Sequence, residues 1–220
     1  MRIPNLSKME LSFKDDRDYE ERRYNDYYDY DDIGYDLSED KSKMAFIKYI
    51  KTMIRNSFEY KNMIDFLKKY IDMNHCTYFK GINNSIKGIK IEIHHEPFVL
   101  EDICYIVLRK FMEEDMEIKP SVISEHVMLL HYMGLIGLIP VSKTVHELIH
   151  DKEIFVPITY VYGNIEQFYR EYHEYMTKDQ KEILRKSIAL SEKLENATPK
   201  ALKKKFVYLD IKGMEFPKEI

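Results

Sequence analysis

Residues 86–97, IKGIKIEIHHEP, decide how this chain is read. Apolar and polar residues alternate over Ile86–His95, so Ile89, Ile91 and Ile93 fall on one face, the period-two signature of a strand. The run ends in two adjacent histidines, His94 and His95, followed by Glu96-Pro97. Neighbouring residues on a strand point to opposite faces. One imidazole can therefore ligate a metal while the other faces something else, such as a substrate.

On both sides of this strand the pattern turns helical. Met44, Ile47, Ile50, Met53 and Ile54 recur at three- and four-residue spacing from Lys43 onward. Met63, Phe66, Leu67, Tyr70 and Ile71 mark a second helix over Glu59–Met73. Further helices are predicted over Leu100–Glu114 and over Ser121–Met133, the latter started by Pro120-Ser121. Leu135–Val141 is a short apolar run broken by Gly137 and Pro140. Thr144–His150 reads as a short helix with Ser142 or Thr144 near its N-cap. Ile154–Val161 is a strand candidate, Ile165–Tyr175 and Asp179–Leu194 are helices, and Lys203–Ile211 is a last strand behind a basic cluster. Met44, Met53, Met63 and Met73 read as core positions. The expected class is α+β and helix-dominated, with one domain over residues 41–220.

Residues 1–40 differ in kind. Asp15–Asp40, DDRDYEERRYNDYYDYDDIGYDLSED, is acidic and tyrosine-rich with few aliphatic residues. Such a segment buries too little apolar area to offset its ordering entropy, so a disordered or loosely docked tail is expected, either merely solvated or serving as an autoinhibitory DNA mimic or a protein-binding arm. It carries six Lys/Arg against thirteen Asp/Glu, which leaves 28 against 25 of the chain's 34 and 38 for the remainder. The body is therefore slightly basic, which permits a nucleic-acid partner without demanding one.

Composition excludes several classes. No run of about eighteen apolar residues exists, so no membrane-spanning helix is expected. The first residues lack an apolar signal core, and two cysteines, Cys76 and Cys104, cannot build a disulfide framework or a multi-cysteine zinc site. A reducing cytoplasm, the host's if a phage encodes the chain, is the expected location. No glycine-rich phosphate loop and no GxSxG elbow is present.

Of the eight histidines, two groups carry chemistry. His94-His95 closes the strand. His146 and His150, in TVHELIH, lie four residues apart and share one helix face, where two imidazoles can bind one divalent ion with a third ligand from elsewhere.

The segment Ile91–Pro97 resembles the first strand of HNH, or His-Me finger, endonucleases, which ends in paired histidines followed closely by proline. Gly137–His146, GLIPVSKTVH, resembles the second half of that family's motif at Leu138, Val141 and His146, and His150 matches the second helix ligand of its colicin-type branch. The resemblance implies a ββα-metal element over about residues 86–150. It implies that His94, His146 and His150 hold one divalent metal and that His95 is the general base that deprotonates the attacking water. Glu92 and Glu96 are candidates to orient an imidazole. Zinc, magnesium, manganese and nickel are not distinguished. The implied partner is nucleic acid, DNA first, and the architecture and AT-rich coding bias suggest a phage or mobile element.

The sequence departs from that family twice. Gly137 stands where the family has its asparagine. Phe98–Ile136 is inserted between the two halves, so His131 or another residue of the insertion could take over the asparagine's role. These departures keep open a catalytically inactive, zinc-stabilised binding or structural protein.

A third reading uses the same helix. His146–His150 spells HExxH, the zincin metallopeptidase motif, with Glu147 as base and Glu166 or Glu171 as third ligand. It leaves His94-His95 without a role. The remaining histidines His75, His126, His131 and His173 read first as packed or solvated side chains. Lys80, Lys87, Lys90 and Lys200–Lys205 could contact phosphates, and Tyr78, Phe79, Phe206 and Tyr208 could stack on bases.

Overall fold

The computed structural model describes residues 35–79 and 81–196. The acidic stretch before Tyr35, Lys80, the Lys200–Lys205 cluster, the strand expected at Lys203–Ile211, Phe206 and Tyr208 lie outside the described residues.

The described residues are α+β and helix-dominated. In chain order they form α1 (Asp40–Asn56), α2 (Phe58–Tyr70), β1 (Ile91–His95), α3 (Leu100–Glu113), α4 (Pro120–Tyr132), β2 (Leu138–Ser142), α5 (Lys143–His150), α6 (Ile165–Tyr172) and α7 (Lys178–Asn196). Single 3-10 turns occur at Ile158–Tyr160 and His173–Tyr175.

Four of the helix starts have a clear local cause. The Ser57 hydroxyl accepts from Tyr60 N at 3.1 Å and caps α2. Pro120 begins α4, where its missing N–H costs nothing. The Ser142 and Asn164 side chains cap α5 and α6. The core centres on α3, whose Ile103, Cys104, Ile106, Val107 and Leu108 are buried, and α1 and α4 pack on it. Tyr35 and Leu37 pack against this core, Tyr35 edge-on to Phe46 at 5.1 Å, so ordered packing begins a few residues before the expected domain start.

Strands β1 and β2 pair antiparallel, from Ile91 opposite Ser142 to His95 opposite Leu138. Ser142 ends β2 and also caps α5, so α5 leaves the sheet at once and packs back on both strands. The 42 residues between the two strands are not a surface appendage: α3 and α4 supply much of the core.

Three expectations are corrected. Ile154–Val161 is not a strand. Pro157 offers no N–H to a ladder, and side chains of α7 satisfy the local backbone instead, Ser187 Oγ donating to Val156 O at 2.9 Å and Ser191 Oγ accepting from Thr159 N at 3.4 Å. The strand expected from Ile86 starts only at Ile91. Gly88 takes φ +85°, and the Asn84 side chain accepts from Ile91 N at 2.8 Å, so the preceding residues turn. Met44 is exposed rather than core, whereas Met53, Met63 and Met73 are buried.

Candidate metal centre

His94 leaves β1 on the side covered by α5. His146 and His150 sit one turn apart on α5 and meet it there, with ring centroids 4.8 Å and 5.1 Å from that of His94. One ligand atom from each of the three lies within 4.8 Å of the others. The Nε2 atoms of His146 and His150 are 3.1 Å apart. Tetrahedral bonds of about 2.0–2.1 Å from zinc to nitrogen separate ligand nitrogens by about 3.4 Å, so the pair is already at coordinating spacing.

Carboxylates from β1 and from the residue just after it flank two of these rings. Glu92 Oε2 accepts from His146 Nδ1 at 2.7 Å, and Glu96 Oε2 lies 3.4 Å from His94 Nε2. Burial raises the Glu92 carboxyl, but hydrogen bonds from Lys90 and His146 outweigh it and hold the group below its ordinary range. Burial lowers the pKa of His146 and of His150, and the positive charge of neighbouring histidines adds to this. Neutral imidazoles offer lone pairs without proton competition. Three nitrogen donors, backed by carboxylates and open on the His150 side, fit zinc or another first-row divalent ion and leave room for a further ligand.

His95 points the other way, as its place on the strand requires. It is 6% exposed, and its Nε2 lies 2.9 Å from Nε2 of His131, which is 2% exposed. His131 Nδ1 donates to Val127 O one turn earlier on α4, at 2.7 Å. Tyr60, from the first turn of α2, lies parallel to His95 and edge-on to His131, with centroids 6.3 Å and 6.0 Å away. Burial, reinforced by His131, pushes the His95 pKa well down, and burial brings His131 to about 4.

Gly137 marks a close backbone crossing. Its carbonyl accepts from Glu96 N at 3.0 Å, and a Cβ here would stand 1.9 Å from Glu96 O. An asparagine side chain has no room at this position.

The structure thus gathers His94, His146, His150, Glu92 and Glu96 on one face of the sheet, and His95 with His131 on the other. Glu147 is exposed and pairs with Lys143 at 3.6 Å. Glu166 pairs with Arg170, and Glu171 accepts from Gln167 at 2.8 Å, so both are engaged along α6. Lys90 reaches Glu92 at 3.1 Å, and Lys87 is exposed. Phe79 is exposed, but Tyr78 is not available for stacking on a base. It is buried, edge-on to Tyr160, with its hydroxyl donating to Phe155 O at 3.2 Å.

Two neighbours escaped the sequence reading. Tyr60 is one. The other is Arg55, exposed on the last turn of α1 and without an ion pair among the described residues. Its charge disfavours the protonated forms of His95, His146 and His150. Tertiary packing brings Tyr60 in, Arg55 acts through its charge alone, and no local pattern announces either.

Among the described residues no helix is long and apolar enough to cross a membrane. No curated protein and no solved structure matches the chain. A family model described as bacteriophage G278-like virion protein matches residues 1–214. This match spans nearly the whole sequence, so the chain belongs to the bacteriophage G278-like virion protein family.

Proposed function

We propose that this virion protein binds one divalent metal through His94, His146 and His150 and hydrolyses phosphodiester bonds in nucleic acid, DNA first, as an HNH-like ββα-metal endonuclease. One observation carries the reading: a strand and the helix that follows its antiparallel partner bring three histidines together, with His95 adjacent on the strand. A divalent ion here would neutralise charge on the scissile phosphate and the leaving oxygen. The chain supplies the rest. Glu92 holds the His146 ring in position, Glu96 lies against His94, and His95 takes a proton from the attacking water. A neutral His95 is in the protonation state that a base requires.

A second reading, in which the metal only staples β1 to α5 in a particle component, is favoured by the deep burial of His95 and by the virion family. Full-length protein, loaded in turn with magnesium, manganese, nickel or zinc, is incubated with supercoiled plasmid beside a His95→Ala control. Metal-dependent nicking that the control lacks supports hydrolysis. A folded, metal-loaded protein that never nicks, yet melts higher with metal than without, supports the staple and overturns the nuclease.

A further inference from the structure

The buried pair of His95 and His131 contains more information than a contact. Each neutral imidazole carries one N–H, and the partner of the first nitrogen decides the role of the second. Val127 O can only accept, so His131 Nδ1 must donate to it. A neutral His131 then has a bare Nε2. Burial keeps it neutral, with its pKa near 4. At 2.9 Å the Nε2 of His95 must supply the proton between the two rings. That leaves Nδ1 of His95 as its bare nitrogen.

We propose that His131 is the positioning residue of this site: delivered by α4, it accepts the Nε2–H of His95, fixes that tautomer and leaves the Nδ1 lone pair to act on water. The role rests on the hydrolytic reading above, whereas the tautomer does not. The helices between the two strands supply the positioning group. His131 is well suited, because the rigid turn from Val127 to His131 and the edge of Tyr60 restrict its ring. The proton moves in one balanced step: water loses a proton to Nδ1 of His95, whose Nε2–H stays bonded to His131.

The test has two readouts on the full chain. Long-range proton–nitrogen NMR correlation of histidine-labelled protein at pH 7.5, with and without zinc, reads the tautomer without any substitution. The expected spectrum shows His95 with a protonated Nε2 and a bare Nδ1; a protonated Nδ1 overturns the proposal. Plasmid-cleavage kinetics then compare His131→Leu, which removes the acceptor, with His131→Gln, whose side-chain oxygen can replace it. His131→Leu should lose about tenfold to a hundredfold in kcat, part of the total that a general base supplies, with KM little changed. His131→Gln should recover most of that loss. Wild-type kcat in a folded His131→Leu overturns the positioning role. If wild type shows the expected tautomer but cleaves nothing under any metal, the hydrolytic reading and the role in it fail together, and only the tautomer stands.

Discussion

Glu92 and His146 are joined at 2.7 Å across the gap between β1 and α5, carboxylate to Nδ1–H, and this bond sets which nitrogen of His146 faces the other two histidines. The carboxylate is two residues before His94 on the same strand, so one five-residue strand supplies both a candidate ligand and the group that orients another candidate ligand. Lys90 pairs with the other oxygen of the same carboxylate, Oε1, at 3.1 Å. Glu92→Gln keeps the shape but removes the charge. Metal affinity should fall by about ten- to a hundredfold, the usual cost of losing such a partner, read by chelator competition. Unchanged affinity would mean that His146 needs no orienting group.

Acid should unfold the metal-free protein for a reason that can be assigned. The folded pKa of His131 is about 4, against about 6.5 in an unfolded chain, so the unfolded state binds more protons between these limits. The contribution is fully present above about pH 6.5 and is lost as the pH falls to about 4, amounting to about 3 kcal/mol. His95, also depressed, acts with the same sign. Urea unfolding at pH 7.5, 5.5 and 4.5 in excess chelator should show the decline. His131→Leu, which starts less stable, should show a shallower slope over the same range. An equal slope would remove His131 from the explanation.

Much of this arrangement was legible in the sequence because it is local. The alternation ending at His94-His95 is a period-two pattern, and His146 with His150 is one turn of helix; neither needs tertiary information. The helices were legible from apolar spacing for the same reason. What the sequence could not show is what comes from afar. Tyr60 meets His95 and His131 only because α2 packs there, and Arg55 acts on the histidines from the end of α1 through its charge. His131 was a candidate through its place in the insertion alone, and only the packing of α4 shows that its ring meets His95 rather than an apolar neighbour. The missed segment at Ile154–Val161 has strand-like composition, but Pro157 and the serines of α7 decide its backbone.

Placing an asparagine at Gly137 should damage the protein. The new Cβ would meet Glu96 O at 1.9 Å, Ile165 Cδ1 at 2.5 Å and Val161 Cγ1 at 2.7 Å. The first of these is backbone and cannot rotate away. Overpacking of this kind costs about 3 kcal/mol or more, which in a chain of this size lowers Tm by about 6–12 °C. Differential scanning calorimetry of Gly137→Asn and Gly137→Ala should find both well below wild type, with alanine already most of the way. A Gly137→Asn protein of normal stability would show that the crossing at Glu96 is looser than described.

Arg55 separates the two readings of the centre, because its charge acts in opposite directions on a cation and on an anion. The guanidinium disfavours positive charge on His95, His146 and His150. It must therefore also disfavour a bound dication. Arg55→Gln relieves that repulsion, and zinc affinity should rise about twofold at physiological salt, more at low salt where screening is weaker. A phosphate approaching the same centre would be attracted by the guanidinium. If the site hydrolyses nucleic acid, Arg55→Gln should raise KM for plasmid by about tenfold at low salt, and the effect should shrink as salt is added. A metal that serves only to staple β1 to α5 predicts the first change without the second. Zinc competition and a salt series of cleavage assays on the one variant measure both. Weaker zinc binding in Arg55→Gln would show that the arginine supports the centre by packing rather than by charge.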